Sequence, residues 1–264
     1  MNGMRFARRL MTHIRRRSRQ NSNPSAATTP AISTDYTLLG KAEALGLDGW
    51  QARSVAERQH QAFMSLLRAA RKGQPRIDFV VAARALASTG LSDPLVIEVG
   101  CGSGYYSELL PLLLGRPVRY VGLDYAASMT ALARRMYPDV PFVTGDACHL
   151  PLKTASCDVL FSGTSLMHIA AYRQAIAESV RVTHQWCVFH TVPVMAERTT
   201  TLLRKQAYGE LVIEVIFNQA ELESIFAAQG LVIRAIFESI PYDVSAVVGE
   251  GTWTLTYLCE KNHG

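Results

Sequence analysis

Residues 96–105 read Val-Ile-Glu-Val-Gly-Cys-Gly-Ser-Gly-Tyr, an apolar stretch that runs directly into a glycine-rich turn. The pattern predicts a buried strand over Leu95–Val99, followed at once by a helix over Tyr105–Leu114. Glycines at such a junction let the chain turn tightly and let a ligand approach the main chain. Ligands of open α/β sheets bind beyond the carboxyl ends of the strands, so this turn is a candidate binding site.

Two aspartates stand at equivalent junctions further along the chain. Asp124 ends the second predicted strand, and Asp146 follows the third in Gly145-Asp146-Ala147. The first carboxylate can accept hydrogen bonds from both hydroxyls of a ribose, and the second can accept one from an adenine amino group. Each could instead cap the helix or loop that follows it. The glycines at 100, 102 and 104 form GxGxG, whereas the dinucleotide fingerprint GxGxxG needs a glycine where Tyr105 stands.

Short apolar runs alternate with helical stretches from Leu95 onward. Strands are predicted over Leu95–Val99, Val118–Leu123, Phe142–Val143, Asp158–Phe161, Trp186–Val192, Leu231–Ile240 and Thr252–Cys259. The later helices are predicted over Ser128–Tyr137, Ala170–Val180 and, after a capping Asn218, Gln219–Gln229. This alternation predicts an α/β fold with a parallel sheet covered by helices on both faces. Before it, residues 35–72 read as two short helices.

With these motifs the chain resembles the class I S-adenosylmethionine-dependent methyltransferases. The matching segments are Glu98–Gly104, Asp124, Gly145–Ala147, Asp158–Ser162 and Leu166–Ile169, and the resemblance covers about residues 75–260. It implies a Rossmann-like, doubly wound sheet of seven strands, mostly parallel with an antiparallel last strand, plus N-terminal helices. It also implies S-adenosylmethionine as the cofactor.

The resemblance implies which residues meet the cofactor. They are Glu98, Gly100, Cys101, Gly102, Gly104, Asp124, Tyr125, Asp146, Ala147 and Ser162. Glu98 and the glycine turn would face the methionine part, Asp124 the ribose, and Asp146 with Ala147 the adenine. The chain departs from many relatives at Arg181–Trp186, where a Lys-Pro-Gly-Gly turn is common. The acidic magnesium ligands of catechol-type enzymes are missing after the fourth strand, which predicts a metal-independent enzyme.

Methyl transfer needs a base only if the acceptor must lose a proton. His168, just beyond the fourth strand, is the first candidate, and His190 in the fifth strand is the second; either could instead be a packed side chain. Trp50, Tyr105 and Tyr106 lie near the predicted site, although packing of the helices is the better explanation for them. Substrate selection in the family usually comes from the N-terminal helices and from the insertion after the fifth strand, here Pro193–Phe217. Its cations Arg198, Arg204 and Lys205 could bind an acidic substrate or simply be solvated.

The positive charge of the chain is concentrated at its N-terminal end. Residues 1–34 carry seven Arg and no acid, which leaves 20 basic and 22 acidic residues in the remainder. We therefore predict a disordered basic tail and linker over 1–34, a helical cap over 35–74 and a catalytic domain over 75–264. The tail could touch an anionic membrane surface or serve as a transit segment. A basic face for nucleic acid on the fold itself is not expected.

The remaining composition places the chain in a reducing cytoplasm. Its five cysteines are scattered without ligand spacing, and no uncharged apolar run reaches the roughly 18 residues of a membrane span. The leading hypothesis is methyl transfer to a small molecule, such as a sugar, lipid-linked compound or secondary metabolite. The alternatives are an RNA or protein methyltransferase that uses the basic tail, and a non-catalytic cofactor-binding protein. The oligomeric state stays open.

Overall fold

The computed structural model describes residues 36–262 apart from 41–43 and 45. The basic tail predicted for residues 1–34 lies outside the described residues, together with its expected disorder and membrane contact. The division into a cap and a catalytic domain stays a prediction.

Ten strands form one sheet in the described part of the chain. They are β1 (Thr37–Leu38), β2 (Leu95–Val99), β3 (Arg119–Asp124), β4 (Phe142–Thr144), β5 (Cys157–Gly163), β6 (Thr183–Met195), β7 (Thr201–Ala207), β8 (Glu210–Asn218), β9 (Leu231–Glu238) and β10 (Trp253–Lys261). Seven of them follow the order β4-β3-β2-β5-β6-β10-β9. The first five of these are parallel neighbours, and β10 is antiparallel to both β6 and β9. The Rossmann-like, doubly wound fold with an antiparallel last strand is therefore confirmed.

The expected count of seven strands is wrong, because β8, β7 and β1 extend the sheet. This extension begins where β6 outruns β5. Gly163 at the end of β5 pairs with His190, and further along β6 Val194 pairs with Phe217 of β8 instead. β8 thus joins the free part of β6, and the β7–β8 hairpin stands next to the carboxyl end of β5.

A bulge lies at the point where β6 leaves the regular sheet. The β6–β10 register skips between Leu255 and Tyr257, and Thr191 opposite the skip has a φ of 54°. The Thr256 hydroxyl accepts the Thr191 amide at 3.2 Å, so the irregular backbone keeps a partner. Bulges of this kind bend a strand and increase its twist. The bend redirects the last residues of β6 toward the hairpin.

Helices cover both faces of the sheet, as predicted. They are α1 (Arg53–Arg71), α2 (Ile77–Ala87), α3 (Tyr106–Leu114), α4 (Ala127–Met136), α5 (Tyr172–Val182), α6 (Gln219–Ala228) and α7 (Ser245–Val248), with 3₁₀ turns at Gly49–Gln51 and Leu166–His168. Alternate strand residues serve the two layers: Val96 and Val159 pack with α1, α2 and α3, whereas Ile97 and Leu160 pack with α5 and α6. The Asn218 side chain caps α6 by accepting the Glu221 amide at 2.9 Å, as the sequence predicts.

The region before the α/β unit differs from its prediction. In place of two short helices, the described residues form β1, a 3₁₀ turn and the single 19-residue helix α1. β1 pairs with β7, so the N-terminal segment belongs to the sheet extension as well as to the helical layer. Among the described residues no helix is both long enough and apolar enough to cross a membrane.

Candidate active site

The glycine turn after β2 has a backbone that other residues would not tolerate. Gly100 has a φ of 73°, and a Cβ placed there would lie 2.3 Å from the Cβ of Ser165. The Gly100 and Cys101 amides both donate to the Leu123 carbonyl, at 2.7 and 3.0 Å. The turn is thereby tied to the end of β3, where the second predicted element of the site stands.

Asp124 at the end of β3 holds two backbone amides. Its Oδ2 accepts the Gly102 amide at 2.8 Å, and its Oδ1 accepts the Ala126 amide ahead of α4 at 2.9 Å. A carboxylate has about four acceptor positions, so two remain for a ligand. Burial raises the pKa of Asp124 to about 6, although the two amide hydrogen bonds act to lower it. The capping and ligand-binding interpretations are therefore compatible.

A cavity of about 650 Å³ opens at the carboxyl ends of the strands. Eight of the predicted site residues line it: Gly100, Cys101, Gly102, Asp124, Tyr125, Asp146, Ala147 and His168. Three others do not line it: Glu98, Gly104 and Ser162. The last three lie behind the wall and shape it, and their direct contact with a cofactor stays a prediction.

The residues behind the wall have internal partners. Glu98 is buried and accepts a hydrogen bond from the Tyr120 hydroxyl, and burial raises its pKa well above the ordinary value. The Ser162 hydroxyl lies 2.9 Å from that of Ser165, which in turn donates to the Val99 carbonyl at 2.7 Å. These contacts fix the position of the glycine turn against the end of β5.

The two histidines proposed as bases have different surroundings. His190 is 1% exposed, and its ring nitrogens lie 2.9 Å from the Thr256 hydroxyl and 3.0 Å from the Thr191 hydroxyl. It does not line the cavity and is explained by packing. His168 does line it; its Nδ1 lies 2.8 Å from the Ile213 carbonyl, and its ring centroid lies 4.8 Å from that of Trp50. Burial, together with the charge of Lys205, lowers the pKa of His168 to about 3.

Two polar atoms of the cavity wall are buried without a hydrogen-bond partner. They are Oε1 of Gln59 on α1 and Nε1 of Trp50 in the preceding turn, one an acceptor and the other a donor. Gln59 lies against the glycine turn, since a Cβ on Gly102 would be 2.6 Å from its Oε1. A buried polar atom left unpaired costs about 1–3 kcal/mol. The Gln59 oxygen therefore points to a polar ligand beside the glycine turn, and the Trp50 nitrogen points to one beside His168.

Comparison with known proteins agrees with this geometry. Residues 97–189 match the family model described as a methyltransferase domain. The chain is 35% identical over 94 residues to a probable S-adenosylmethionine-dependent methyltransferase of Mycolicibacterium smegmatis, covering 36% of this chain and 35% of that protein. A probable S-adenosylmethionine-dependent methyltransferase of Mycobacterium tuberculosis is 25% identical over 240 residues, covering 83% and 77%. These matches support the resemblance to the class I S-adenosylmethionine-dependent methyltransferases.

A solved structure agrees with this fold. The S-adenosylmethionine-dependent methyltransferase of Methanosarcina mazei has a TM-score of 0.52 at 16% identity, covering 67% of this chain and 97% of that one. Among the curated relatives, however, the match to the Mycolicibacterium protein spans only about a third of that protein's length.

The methyltransferase cavity fits S-adenosylmethionine, the cofactor of the family. Asp124 offers two free acceptor positions for ribose hydroxyls, and the half-exposed Asp146 offers a carboxylate beside Ala147. The unpaired Oε1 of Gln59 supplies an acceptor next to the glycine turn, where the positively charged methionine end would lie. Sequence patterning did not identify Gln59 as a candidate cofactor ligand.

Replacing Gln59 with Leu is expected to weaken S-adenosylmethionine binding by about tenfold or more. Loss of a hydrogen bond to a charged group removes about 1.5–3 kcal/mol, and each 1.4 kcal/mol is a factor of ten. The apo protein should unfold at the same temperature or higher, because the substitution also removes an unpaired buried atom. Calorimetry and thermal unfolding measure the two effects. Gln61→Leu, an exposed position on the same helix, is the matched control; equal affinities of the two variants would contradict the assignment.

Proposed function

We propose that this chain transfers the methyl group of S-adenosylmethionine to a small-molecule acceptor. The observation that carries the proposal is the single continuous cavity, which joins the glycine turn and Asp124 to a chamber beside His168 and Lys205. Its volume of about 650 Å³ falls in the range of roughly 300–1,000 Å³ typical of small-molecule sites. The cavity is therefore suited to a cofactor and a small acceptor together.

The chain's own residues align the reactants and keep water out. The cofactor, when bound, would supply a methyl group on a positively charged sulfur that can leave with the electron pair of the broken bond. Alignment of reactants can contribute about 7–11 kcal/mol to such a reaction. Trp50 and Tyr208 enclose the chamber, with ring centroids 5.9 Å apart. His168, which lines the cavity, would accept the proton that a hydroxyl or amine acceptor must lose.

The small-molecule acceptor is favoured over RNA by the charge of the fold. Outside residues 1–34 the acidic residues outnumber the basic ones, 22 to 20, so no excess of positive charge is available for a polyanion. Strongly salt-dependent RNA binding would favour the alternative.

The test is an activity screen of the full chain with methyl-labelled S-adenosylmethionine. Incubated with a cell extract, the protein is expected to transfer label to the small-molecule fraction, where mass spectrometry identifies the product. Label in RNA or protein instead would overturn the small-molecule proposal. Cofactor binding in calorimetry without label in any fraction would identify a non-catalytic cofactor-binding protein.

Activity is expected to survive treatment with a metal chelator. The segment after β5 reads Thr164, Ser165 and Leu166 and offers no carboxylate for magnesium. Across the described residues there is also no group of three His, Cys, Asp or Glu side chains that could hold a metal ion. Loss of turnover in chelator, restored by added magnesium, would contradict this expectation.

A further inference from the structure

One cation of the insertion after β6 reaches the cavity. Lys205 on β7 lines it, and its side chain is only 18% exposed. The neighbouring Arg204 is exposed and donates from Nε to the Thr37 hydroxyl at 2.8 Å. Arg198 lies near Gly249, where an added Cβ would approach its guanidinium carbon to 3.6 Å. The structure thus separates Lys205 from the two arginines that accompany it in the sequence.

A buried carboxylate outside the cavity wall holds the ammonium of Lys205 in place. Glu214 on β8 forms an ion pair with it, is fully buried and does not line the cavity. The Tyr242 hydroxyl donates to the same carboxylate, and the Tyr36 ring centroid lies 5.7 Å from the Lys205 Nζ. A ligand in the cavity therefore meets the ammonium, while the carboxylate stays covered. An amine has three donor positions, so one can still face the cavity.

Stability alone does not account for this buried pair. Replacing a buried ion pair by apolar residues of similar volume is often neutral or stabilising, because removing both charges from water is expensive. Lysine is rarely buried unless it is paired. Apolar side chains of the same hairpin, Leu203 and Ile216 among them, are buried in one cluster. Binding of an anionic ligand explains the positive charge at this wall of the cavity better than stability does.

The walls near Lys205 are aromatic and apolar. The rings of Trp50, His168 and Tyr208 form one group. The His168 centroid lies 4.8 Å from that of Trp50, and the Tyr208 centroid lies 5.9 Å from it. Met167 and Ile213 add apolar surface. His168 is neutral here, since burial and the Lys205 charge hold its pKa near 3. Among the described lining residues, Lys205 is therefore the one positive charge in this part of the cavity.

We propose that Lys205 binds an anionic group of the methyl acceptor, and that the acceptor is a small organic acid with a flat apolar body. This inference rests on the proposed function and adds the substrate class to it. The aromatic group holds the apolar body, and the ammonium sets its orientation relative to the cofactor. Neutral acceptors of the same shape lack the second contact and bind more weakly.

The test compares acids with their neutral amides. Calorimetry measures binding of benzoate and 2-naphthoate, and of benzamide and 2-naphthamide, to the full chain saturated with S-adenosylhomocysteine. We expect at least one acid to bind about tenfold or more tightly than its amide, as a hydrogen bond to a charged group implies. Equal binding of acid and amide, or no binding of either acid, would overturn the inference.

Variants assign the preference to Lys205. Lys205→Met alone leaves Glu214 buried and unpaired, so the double variant Lys205→Met/Glu214→Gln is measured beside it. The acid preference is expected to vanish in the double variant and to persist in Arg204→Met, the matched control on the opposite face of β7. A preference that survives in the folded double variant would overturn the inference. The affinity for S-adenosylmethionine is measured for the wild type and for each variant. A wild-type protein that does not bind the cofactor would refute the proposed function itself.

Discussion

Replacing Asp124 with Ala is expected to weaken S-adenosylmethionine binding by a hundredfold or more. Two acceptor positions of the carboxylate remain after the Gly102 and Ala126 amides are satisfied, at 2.8 and 2.9 Å. Two charge-assisted hydrogen bonds of roughly 1.5–3 kcal/mol each would be lost, a total of about 3–6 kcal/mol. That energy corresponds to a factor of about 10²–10⁴ in the dissociation constant, which calorimetry measures directly.

The same substitution also removes the acceptor that ties the glycine turn to β3. Thermal unfolding of the apo variant is therefore measured with the affinity, so that a folded protein can be verified. Asp139→Ala, which removes an exposed carboxylate near the end of α4, is the control and should bind normally. Unchanged cofactor affinity in a folded Asp124→Ala protein would contradict the assignment of Asp124 as the residue that binds the ribose.

Cofactor affinity is also expected to fall as the pH drops below about 6. Burial raises the pKa of Asp124 to about 6 in the apo protein, so the carboxyl gains a proton below that pH. Hydrogen bonds from ribose hydroxyls favour the charged form, so binding requires release of this proton and weakens as the pH falls. Calorimetry at pH 7.5 and pH 5 tests the expectation, and Asp124→Asn should show a smaller change. A wild-type affinity that rises toward pH 5 would contradict it.

The α/β unit was predictable because its signals are local. β2 has the predicted bounds Leu95–Val99, and α3 begins one residue after the predicted start. An apolar run that ends in glycines and continues into a helical pattern carries its own boundaries. The capping Asn218 is equally local, since its side chain bonds the amide of Glu221. Such features depend on neighbours within one or two turns of chain.

The hairpin over the cavity was missed because its causes are distant in sequence. β8 joins the part of β6 that runs past Gly163, the last residue of β5, and that part begins at the bulge around Thr191. Pairing of β1 with β7 brings residues 37 and 204 together across most of the chain. The stretch Thr201–Ala207 mixes two leucines with four polar residues and shows no clear alternation. No local rule predicts that sheet edge.

The sequence does mark Gln59, as a polar residue on the apolar face of α1, but helical periodicity alone does not explain why it stands there. It precedes Phe63, Leu66 and Ala70 by four, seven and eleven residues, which places it on the apolar stripe of α1. A polar residue on that stripe indicates either a helix end or a buried partner. The structure decides between them, because Gln59 lies inside α1 and its Oε1 meets the cavity beside the glycine turn.

Replacing His168 with Ala is expected to lower turnover by about a hundredfold while cofactor affinity stays unchanged. The Ile213 carbonyl at 2.8 Å from Nδ1 is satisfied only if that nitrogen carries the proton. Nε2 is then unprotonated and able to accept a proton. General bases contribute about 10²–10⁴-fold, and the contribution is greatest when their pKa lies near the working pH. Burial is the main reason that the pKa of His168 lies near 3, and the Lys205 charge is the second reason. The loss of turnover should therefore fall at the lower end of that range.

The loss of turnover, and not the pH profile, distinguishes a base from a merely packed ring. A histidine with a pKa near 3 is already neutral at pH 5, so the wild-type rate should show no acidic limb near 6.5 from this group. Because protonation of Asp124 at low pH is expected to weaken cofactor binding, turnover is measured at saturating cofactor concentration. His184→Ala, an exposed position at the start of β6 that does not line the cavity, is the control and should retain full turnover. A loss of less than about threefold in a folded His168→Ala protein, far below the contribution of a base, would leave catalysis to alignment alone.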